Sequence, residues 1–381
     1  MRAIGTKSKE AKNTAPTTPE LSDADTSVIF RGDGEPKTPD NMLRQLAEFH
    51  AKVGLETDVY SRGGTVATLE QRFAEMLGME ATIFMPSGTL ANHLAIRNHC
   101  GVKTRAVVQE QGHIYNDTGD GLTRLSGISL IPLARGCPYF TLAELKEEIA
   151  KSESGRVTNP IGTVVIESPV RRQNGQVVPY DEMKSIMDFC RERSIPTHLD
   201  GARLYMMSAA TGIKPWQYAA LFDTVYVSTF KYFGAPFGAI LAGTSEFTRD
   251  LFHDRRMFGG ALHTAYLGAA VALKGIEGFE ERFAAAMDQA KSLFTRLNAL
   301  SGIKVGQFEH GSNIFPVELD SSIDADAFIS ALGRHSVFVY PDDAEPGRIY
   351  LTVNTTILRQ DNNDLTEAFE DALTQSQKST S

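Results

Sequence analysis

The sequence predicts an α/β fold with a mostly parallel sheet, and two observations lead to this prediction. Between about residue 27 and residue 264, short apolar runs alternate with segments in which apolar residues recur every three or four positions. Strands and helices that alternate in this way form a mostly parallel sheet that is covered on both faces. Beyond residue 264 a long helical stretch, four short strand candidates and a final helix indicate a smaller α+β unit.

The length of 381 residues exceeds what one compact core usually needs, so more than one domain is predicted. We expect a flexible tail at 1–26, a large α/β domain at 27–270 and a small C-terminal α+β domain at 271–381. The tail is predicted to be flexible because it has almost no large apolar side chain whose burial could offset the entropy of ordering.

The elements follow in chain order. The predicted strands of the large domain are the apolar runs at 81–85, 105–109, 162–166, 195–199, 224–228 and 237–242. Helical spacing of apolar residues is clearest at 69–77, 90–96, 142–149 and 181–193. In the C-terminal part, one helical stretch from about 264 to 300 precedes strand candidates at 303–308, 313–318, 336–339 and 348–353, and a helix at 361–373 follows.

Charge and composition exclude several classes of partner. The chain has 38 basic and 47 acidic residues, a net charge of −9, so we expect no binding to nucleic acid or to anionic membranes. No apolar run approaches the roughly 20 residues that cross a bilayer. The three cysteines are odd in number and scattered, which indicates neither a disulfide framework nor a metal site. A cytoplasmic protein is expected.

The ends of two predicted strands carry groups that could bind a ligand. Ser87, Gly88 and Thr89 follow the first strand and open a helix, whose free N–H groups and dipole favour phosphate. The alternative is an ordinary helix cap. His113 follows the second strand, where its ring could stack on a planar ligand, although a histidine in a loop often has no such role.

Two later strand ends carry a carboxylate and an amine. Asp200 follows a very apolar strand, and because a buried carboxylate needs a partner, either Arg203 or a protonated ring nitrogen of a ligand is expected beside it. Lys231 stands between aromatic residues and a turn. Burial there would lower the pKa of its amine and make it nucleophilic, whereas the alternative is a lysine that extends to solvent.

Together these four groups match one cofactor, pyridoxal 5′-phosphate (PLP). PLP needs a phosphate site, a group that stacks on its ring, a carboxylate that keeps its ring nitrogen protonated, and a lysine that binds its aldehyde. The groups at 87–89, His113, Asp200 and Lys231 would supply these in turn.

The same segments, in order along the chain, are similar to motifs of a known enzyme group. They lie at 58–60, 64–66, 69–70, 86–92, 198–203, 231–238 and 255–260, with His113 between them. From about Arg31 to the C-terminus the chain resembles the threonine aldolase and β-eliminating lyase group of fold-type I PLP enzymes. The resemblance implies the fold-type I PLP-dependent transferase fold, with a central seven-stranded sheet. It also implies a homodimer or homotetramer whose active sites are shared between subunits.

The resemblance further implies the roles of single residues. The residues implied at the cofactor are Ser87, Gly88 and Thr89 for the phosphate, His113 for stacking, Asp200 for the ring nitrogen and Lys231 for the aldehyde, with Arg203, Arg256 and His263 as further cofactor contacts. Arg203 would face the ring hydroxyl or the substrate carboxylate, and Arg256 would reach the phosphate of the neighbouring subunit. His263 stands where the family has an arginine, and Tyr60 is expected at the substrate.

Departures from the family pattern fall on the substrate side of the site. Gly32 stands where the family has a serine that helps to hold the substrate carboxylate. Val170 stands where it has a histidine, and Arg171 follows. The arginine that clamps the substrate carboxylate aligns with either Arg348 or Tyr350, and both are kept as substrate-binding candidates.

These features predict a lyase. The first hypothesis is retro-aldol cleavage of a β-hydroxy-α-amino acid to glycine and an aldehyde, with His113 as the base. The alternative is β-elimination, in which Lys231 removes the Cα proton and a 2-oxo acid and ammonia are formed. A third hypothesis is a protein that binds PLP without turnover. Arg171 or Arg172 would suit a substrate that carries a second anionic group, or both could be ordinary surface residues.

Overall fold

The computed structural model describes residues 26–341 and 348–378, so the predicted tail at 1–26 lies outside the described residues except for Thr26. The strands within these ranges are β1 (Val28–Ile29), β2 (Ala81–Met85), β3 (Arg105–Gln109), β4 (Ser129–Leu133), β5 (Ile161–Glu167), β6 (Thr197–Asp200), β7 (Thr224–Ser228), β8 (Ala239–Gly243), β9 (Ile303–Val305), β10 (Ile314–Leu319), β11 (Val337–Phe338) and β12 (Ile349–Thr352).

The α-helices of the described ranges are α1 (Pro39–Lys52), α2 (Gly64–Leu77), α3 (Gly88–Cys100), α4 (His113–Asn116), α5 (Gly121–Ser126), α6 (Leu142–Ser154), α7 (Tyr180–Glu192), α8 (Leu204–Thr211), α9 (Pro215–Ala219), α10 (Ser245–Met257), α11 (Tyr266–Ile276), α12 (Phe279–Leu297), α13 (Ala325–Arg334) and α14 (Asn362–Gln375). Two 3₁₀ segments lie at Arg171–Gln173 and Thr355–Arg359. None of the helices in these ranges is both long and apolar enough to cross a bilayer.

The large sheet has seven strands in the order β2-β8-β7-β6-β5-β3-β4. The five strands from β7 to β4 run parallel, and β8 runs antiparallel to both of its neighbours, β7 and β2. All residues of β5, β6, β7 and β8 are buried, as expected for a sheet that is covered on both faces. The prediction of a mostly parallel, seven-stranded sheet is confirmed.

The seventh strand, β4, was not among the six apolar runs recognised from the sequence. It lies at the edge of the sheet, and its residues are only half-buried or exposed. Pro132 sits within it, opposite Val108 of β3. A proline has no N–H to donate to a neighbouring strand, so within a sheet it is tolerated mainly in edge strands. Because β4 contains a proline and is not continuously apolar, the sequence pattern did not predict it as a strand.

Helix α3 occupies the place in the fold that matters most for the site. It starts three residues after the end of β2, and Ser87 caps it by accepting a hydrogen bond from Leu90 N (3.2 Å). Eight of its thirteen residues are buried, polar Asn92 and His93 among them. Because this helix is covered on most sides, a polar residue on it needs a partner inside the protein.

The predicted single helix at 264–300 is wrong, because the structure has two helices there, α11 and α12. Gly278 separates them and has a φ of +59°, a left-handed conformation that favours glycine. Earlier in α11, a Cβ on Gly275 would lie 1.9 Å from the carbonyl oxygen of Phe233, so only glycine permits this close approach of the helix to the segment after β7.

The C-terminal part contains an antiparallel sheet in the order β12-β10-β9 and the strand β11. The four predicted strands and the last helix are present there; β10 has the predicted length, and the other three strands are shorter than predicted. The N-terminal strand β1 pairs in parallel with β11, with Val28 opposite Val337 and Ile29 opposite Phe338. The first strand of the described residues therefore lies against the C-terminal part of the chain. The domain boundary near residue 270 stays a prediction.

Candidate active site

A cavity of about 440 Å³ lies at the carboxyl ends of the parallel strands. Eight of the predicted site residues line it, namely Ser87, Gly88, Thr89, His113, Arg171, Asp200, Arg203 and Lys231. Five further residues complete the wall, namely Asp117, Glu167, Ala202, Tyr226 and Phe230. The four strand ends that the sequence singled out thus meet at one place.

The start of helix α3 forms one side of the cavity. N–H groups in the first turn of a helix have no partner within the helix, so they are available to an anion. Gly88 is buried against the ring of Tyr226, and a Cβ at this position would lie 1.9 Å from the Tyr226 hydroxyl oxygen. Only glycine therefore allows the helix start to approach the strand that carries Tyr226.

Asp200 lies at the floor of the cavity and is 1% exposed. Its Oδ2 accepts a hydrogen bond from Asn92 Nδ2 (2.7 Å), and its Oδ1 accepts one from Ala202 N (3.2 Å). Arg203, one of the two partners expected from the sequence, binds elsewhere. No basic side chain of the described ranges forms an ion pair with Asp200, so its carboxylate is left for a cationic group of a ligand.

Arg203 forms a two-point ion pair with Asp33. The Nε atom donates to Oδ1 (2.7 Å) and Nη2 donates to Oδ2 (2.9 Å), and both side chains are largely buried. A paired guanidinium of this kind is strongly oriented. These bonds use the hydrogen of Nε and one hydrogen of Nη2, so Nη1 and the second hydrogen of Nη2 are the donors that can meet a ligand in the cavity.

Lys231 follows β7 and reaches the cavity beside Phe230, with its Nζ 5.9 Å from the centre of that ring. Burial, and after it the nearby charge of Arg203, lower the pKa of Lys231 to about 8, although Asp200, Asp33 and Glu167 oppose the change. The sequence predicted this direction. A lysine with such a pKa has an appreciable unprotonated fraction at neutral pH.

His113 and Arg171 share one carboxylate at the mouth of the cavity. His113 Nδ1 lies 3.3 Å from Asp117 Oδ2, and Arg171 Nη2 donates to the same oxygen (2.7 Å). Arg172 Nη1 donates to the other oxygen, Oδ1 (3.0 Å), but Arg172 is not part of the cavity wall. Of the two arginines considered from the sequence, Arg171 is therefore the one at the cavity.

Glu167 is a site residue whose position the sequence argument missed. It ends β5 and is the register partner of Asp200 on β6, so two carboxylates lie side by side under the cavity. Its two oxygens accept hydrogen bonds from the backbone N–H groups of His113 and Arg171. Burial raises the pKa of Glu167 well above its usual range, and the charge of Asp200 adds to this effect. Glu167 thus fixes the loops that carry His113 and Arg171.

Three other predicted residues gather away from this cavity. The guanidinium of Arg256 lies 4.3 Å from the centre of the Tyr60 ring, and the ring of His263 lies 5.4 Å from it. The loop that carries Tyr60 is fixed by buried Arg255, whose Nη2 donates to the carbonyls of Tyr60 and Ser61 (3.2 and 3.1 Å). None of the residues of this Tyr60–Arg256–His263 cluster lines the cavity of its own chain.

The two C-terminal candidates also lie outside the cavity wall. Tyr350 lies on β12, where its ring is 6.1 Å from that of Phe308, and Arg348 precedes the same strand. Their substrate-binding roles stay predictions.

The residues present fit PLP. The helix start at Ser87, Gly88 and Thr89 lines the cavity, and N–H groups at a helix start suit a phosphate group. Asp200 is a buried carboxylate that pairs with no basic side chain in the part of the chain the structure describes, which suits a protonated ring nitrogen. Lys231 supplies an amine of lowered pKa in the same cavity.

Comparisons with known proteins agree with this geometry. A family described as β-eliminating lyase matches residues 32–318 of the chain. A low-specificity L-threonine aldolase of Eremothecium gossypii is 30% identical over 263 residues, which cover 68% of this chain and 67% of that protein. The crystal structure of a putative L-allo-threonine aldolase of Listeria monocytogenes superposes with a TM-score of 0.76 and 28% identity, and covers 91% of this chain and 96% of its own.

More distant structures share the fold. A serine palmitoyltransferase structure that contains PLP superposes with a TM-score of 0.65 at 14% identity, over 91% of this chain and 86% of its own. At this identity the likeness shows a shared fold alone.

Proposed function

The chain belongs to the β-eliminating lyase family, and from this premise we propose that it is a PLP-dependent aldehyde-lyase of the threonine aldolase type. The proposed reaction is the cleavage of a β-hydroxy-α-amino acid to glycine and an aldehyde. The observation that carries the proposal is that the helix start at Gly88, the carboxylate of Asp200 and the amine of Lys231 all face one cavity.

The described residues suggest how the cofactor is held. The first turn of α3, at Ser87, Gly88 and Thr89, would bind its phosphate. Asp200 would pair with its ring nitrogen, and Lys231 would bind its aldehyde. Once bound, PLP supplies an electron sink for the electrons of the bond that breaks at Cα.

His113 is the proposed base for the β-hydroxyl proton. The carboxylate of Asp117 only accepts hydrogen bonds, so it favours a proton on His113 Nδ1. In a neutral imidazole the lone pair then lies on Nε2, and this atom would take the proton from the substrate. Glu167 holds the backbone of His113 and therefore orients the ring.

Two arginines are proposed to bind the substrate. Arg203, held by Asp33, would direct its Nη1 to the substrate carboxylate or to the ring hydroxyl of the cofactor. Arg171 would bind a second anionic group on the substrate. Asp117 serves both Arg171 and Arg172, so a single carboxylate balances two guanidinium groups at the mouth of the cavity. Arg171 gives Asp117 one hydrogen bond, from Nη2, which would leave its other N–H groups for an additional carboxylate of the substrate.

We also propose a homodimer or homotetramer in the cytoplasm. The Tyr60–Arg256–His263 cluster does not line its own cavity, which supports the idea that it completes the site of a neighbouring subunit. A mass in solution that corresponds to a single chain would refute this arrangement. Fluorescence of a tagged chain in cells would test the location.

A product assay tests the proposed reaction. The purified chain with PLP is offered threonine, other β-hydroxy amino acids and β-substituted amino acids. Glycine with an aldehyde supports the proposal, a 2-oxo acid with ammonia supports β-elimination instead, and the absence of any product indicates a binding protein. Borohydride reduction should attach the cofactor to the peptide that contains Lys231 and should fail in Lys231→Ala.

A further inference from the structure

A row of hydrogen-bonded side chains leads from Asp200 into the interior, away from the cavity. Its members, in order, are Asp200, Asn92, His198, Thr224 and His99. The four contacts measure 2.7, 2.9, 2.8 and 2.7 Å. The first four members are at most 1% exposed. We call this set the Asp200 row.

The direction of each hydrogen bond in the row is fixed. Asn92 donates from Nδ2 to Asp200, so its Oδ1 must accept, and the Nε2 atom of His198 must carry the hydrogen. The Nδ1 atom of a neutral His198 then accepts from the Thr224 hydroxyl, and Thr224 in turn accepts from His99. The other acceptor near the Thr224 hydroxyl, a carbonyl at 3.5 Å, is a weaker target.

Both histidines of the row are uncharged. Burial lowers the pKa of His198 to about 3 and that of His99 to about 4. Each therefore has one donor nitrogen and one acceptor nitrogen, as the row requires. Every donor consequently points toward Asp200, and aligned hydrogen bonds of this kind polarise and strengthen one another.

The Asp200 row satisfies the buried carboxylate of Asp200 without neutralising its charge. An arginine next to Asp200 would make its burial less costly but would also neutralise the charge that a ligand needs. The neutral amide of Asn92 satisfies Oδ2 without adding charge, while Arg203 binds Asp33 instead. Asn92 lies on α3, one turn after the helix start at Gly88, so the same helix positions both ends of the cavity.

We propose that Asn92 and His198 are positioning residues that hold Asp200 as a hydrogen-bond acceptor toward the cavity, with Thr224 fixing the tautomer of His198. The functional part of this inference rests on the proposed role of Asp200 in binding PLP. The hydrogen-bond order of the row does not depend on that role, so the two can be tested separately.

The test compares two substitutions of His198. His198→Gln keeps an amide N–H where Nε2 lies, whereas His198→Phe keeps a ring and removes the donor. We expect His198→Phe to weaken PLP binding roughly 10-fold, because a hydrogen bond that supports a charged group is lost. We expect His198→Gln to keep most of the wild-type affinity for PLP. Equal affinity in both variants and in the wild type would overturn the inference.

A double-mutant cycle separates positioning from general stability. Asp200→Asn removes the group on which the row acts, so adding His198→Phe to it should change PLP affinity by less than about threefold. The same loss in both backgrounds would show that His198 acts independently of Asp200 and would overturn the proposal. If His198→Phe does not fold, Thr224→Val takes its place in the cycle, with Thr224→Ser as its control.

Histidine ¹⁵N NMR of the full chain provides a readout without catalysis. Between pH 5 and 8, His198 should be neutral with its proton on Nε2, with or without PLP. The opposite tautomer or a charged ring would overturn the hydrogen-bond order. A wild-type chain that shows the expected tautomer but does not bind PLP would contradict the proposed function and leave the order of the row intact.

Discussion

Replacing Lys231 by methionine should stabilise the chain in the absence of PLP. The pKa of Lys231 is lowered from 10.5 to about 8, chiefly by burial. One pH unit corresponds to about 1.4 kcal/mol, so the charged amine costs about 3 kcal/mol in the folded state. Lys231 is only partly buried, so solvent screens part of this cost. We therefore expect Lys231→Met to raise the free energy of unfolding by about 2 kcal/mol at pH 7.

The gain should depend on pH with a definite sign. Between pH 8 and 10.5 the unfolded wild type holds the lysine proton and the folded wild type has lost it, so the wild-type free energy of unfolding rises with pH. Lys231→Met cannot titrate at this position. Its advantage is therefore complete below about pH 8 and disappears as the pH passes 10.5.

Urea unfolding at pH 7 and pH 10 measures this difference. Lys291→Met is the matched control, because the Lys291 side chain is 67% exposed and should show neither effect. The reasoning is refuted if Lys231→Met is no more stable than the wild type at pH 7, or if its advantage is as large at pH 10.

Two further predictions concern the cavity wall. Gly88→Ala places a Cβ 1.9 Å from the Tyr226 hydroxyl, so it should lower the free energy of unfolding by about 2 kcal/mol and weaken PLP binding. Gly333→Ala is the control: a Cβ on Gly333 has no atom within 4 Å, so this substitution should have neither effect. Arg171→Gln should lower kcat/KM about 10-fold for 3-hydroxyaspartate and little for threonine. Arg172 lies outside the cavity wall, so Arg172→Gln should change kcat/KM for neither substrate. Equal losses on both substrates in Arg171→Gln would contradict the proposed role of Arg171 in binding a second anionic group.

Much of the architecture follows from the sequence because the strands of the large sheet are buried on both faces. Their apolar runs stand out, and six of the seven were found within a few residues of their observed bounds. The edge strand β4 was missed because it is half-buried and contains Pro132. The helix break at Gly278 was missed because apolar spacing continues on both sides of it.

The candidate site was predictable where a residue follows its strand directly. Ser87, His113, Asp200 and Lys231 each stand at or just after a strand end, and strands that run in the same direction have their carboxyl ends at the same edge of the sheet. Glu167 offered the same signal, since it ends an apolar strand just as Asp200 does.

Partnerships between distant residues were not predictable in this way. Arg203 and Asp33 are 170 positions apart, and Asn92 and Asp200 are 108 positions apart. Spacing along the chain carries no information on such pairs. The sequence predicts that Asp200 needs a partner, but only the packing of α3 against the sheet shows that this partner is the amide of Asn92.

The short segment from Val28 to Asp33 connects the C-terminal part of the chain to the cavity wall. At one end, β1 is hydrogen-bonded to β11 in the C-terminal part, and at the other end Asp33 grips Arg203 at the cavity wall. Only three residues lie between Ile29 and Asp33, so this connection is short. A chain cleaved just before residue 34 would therefore lose both the strand that pairs with β11 and the counter-ion of Arg203.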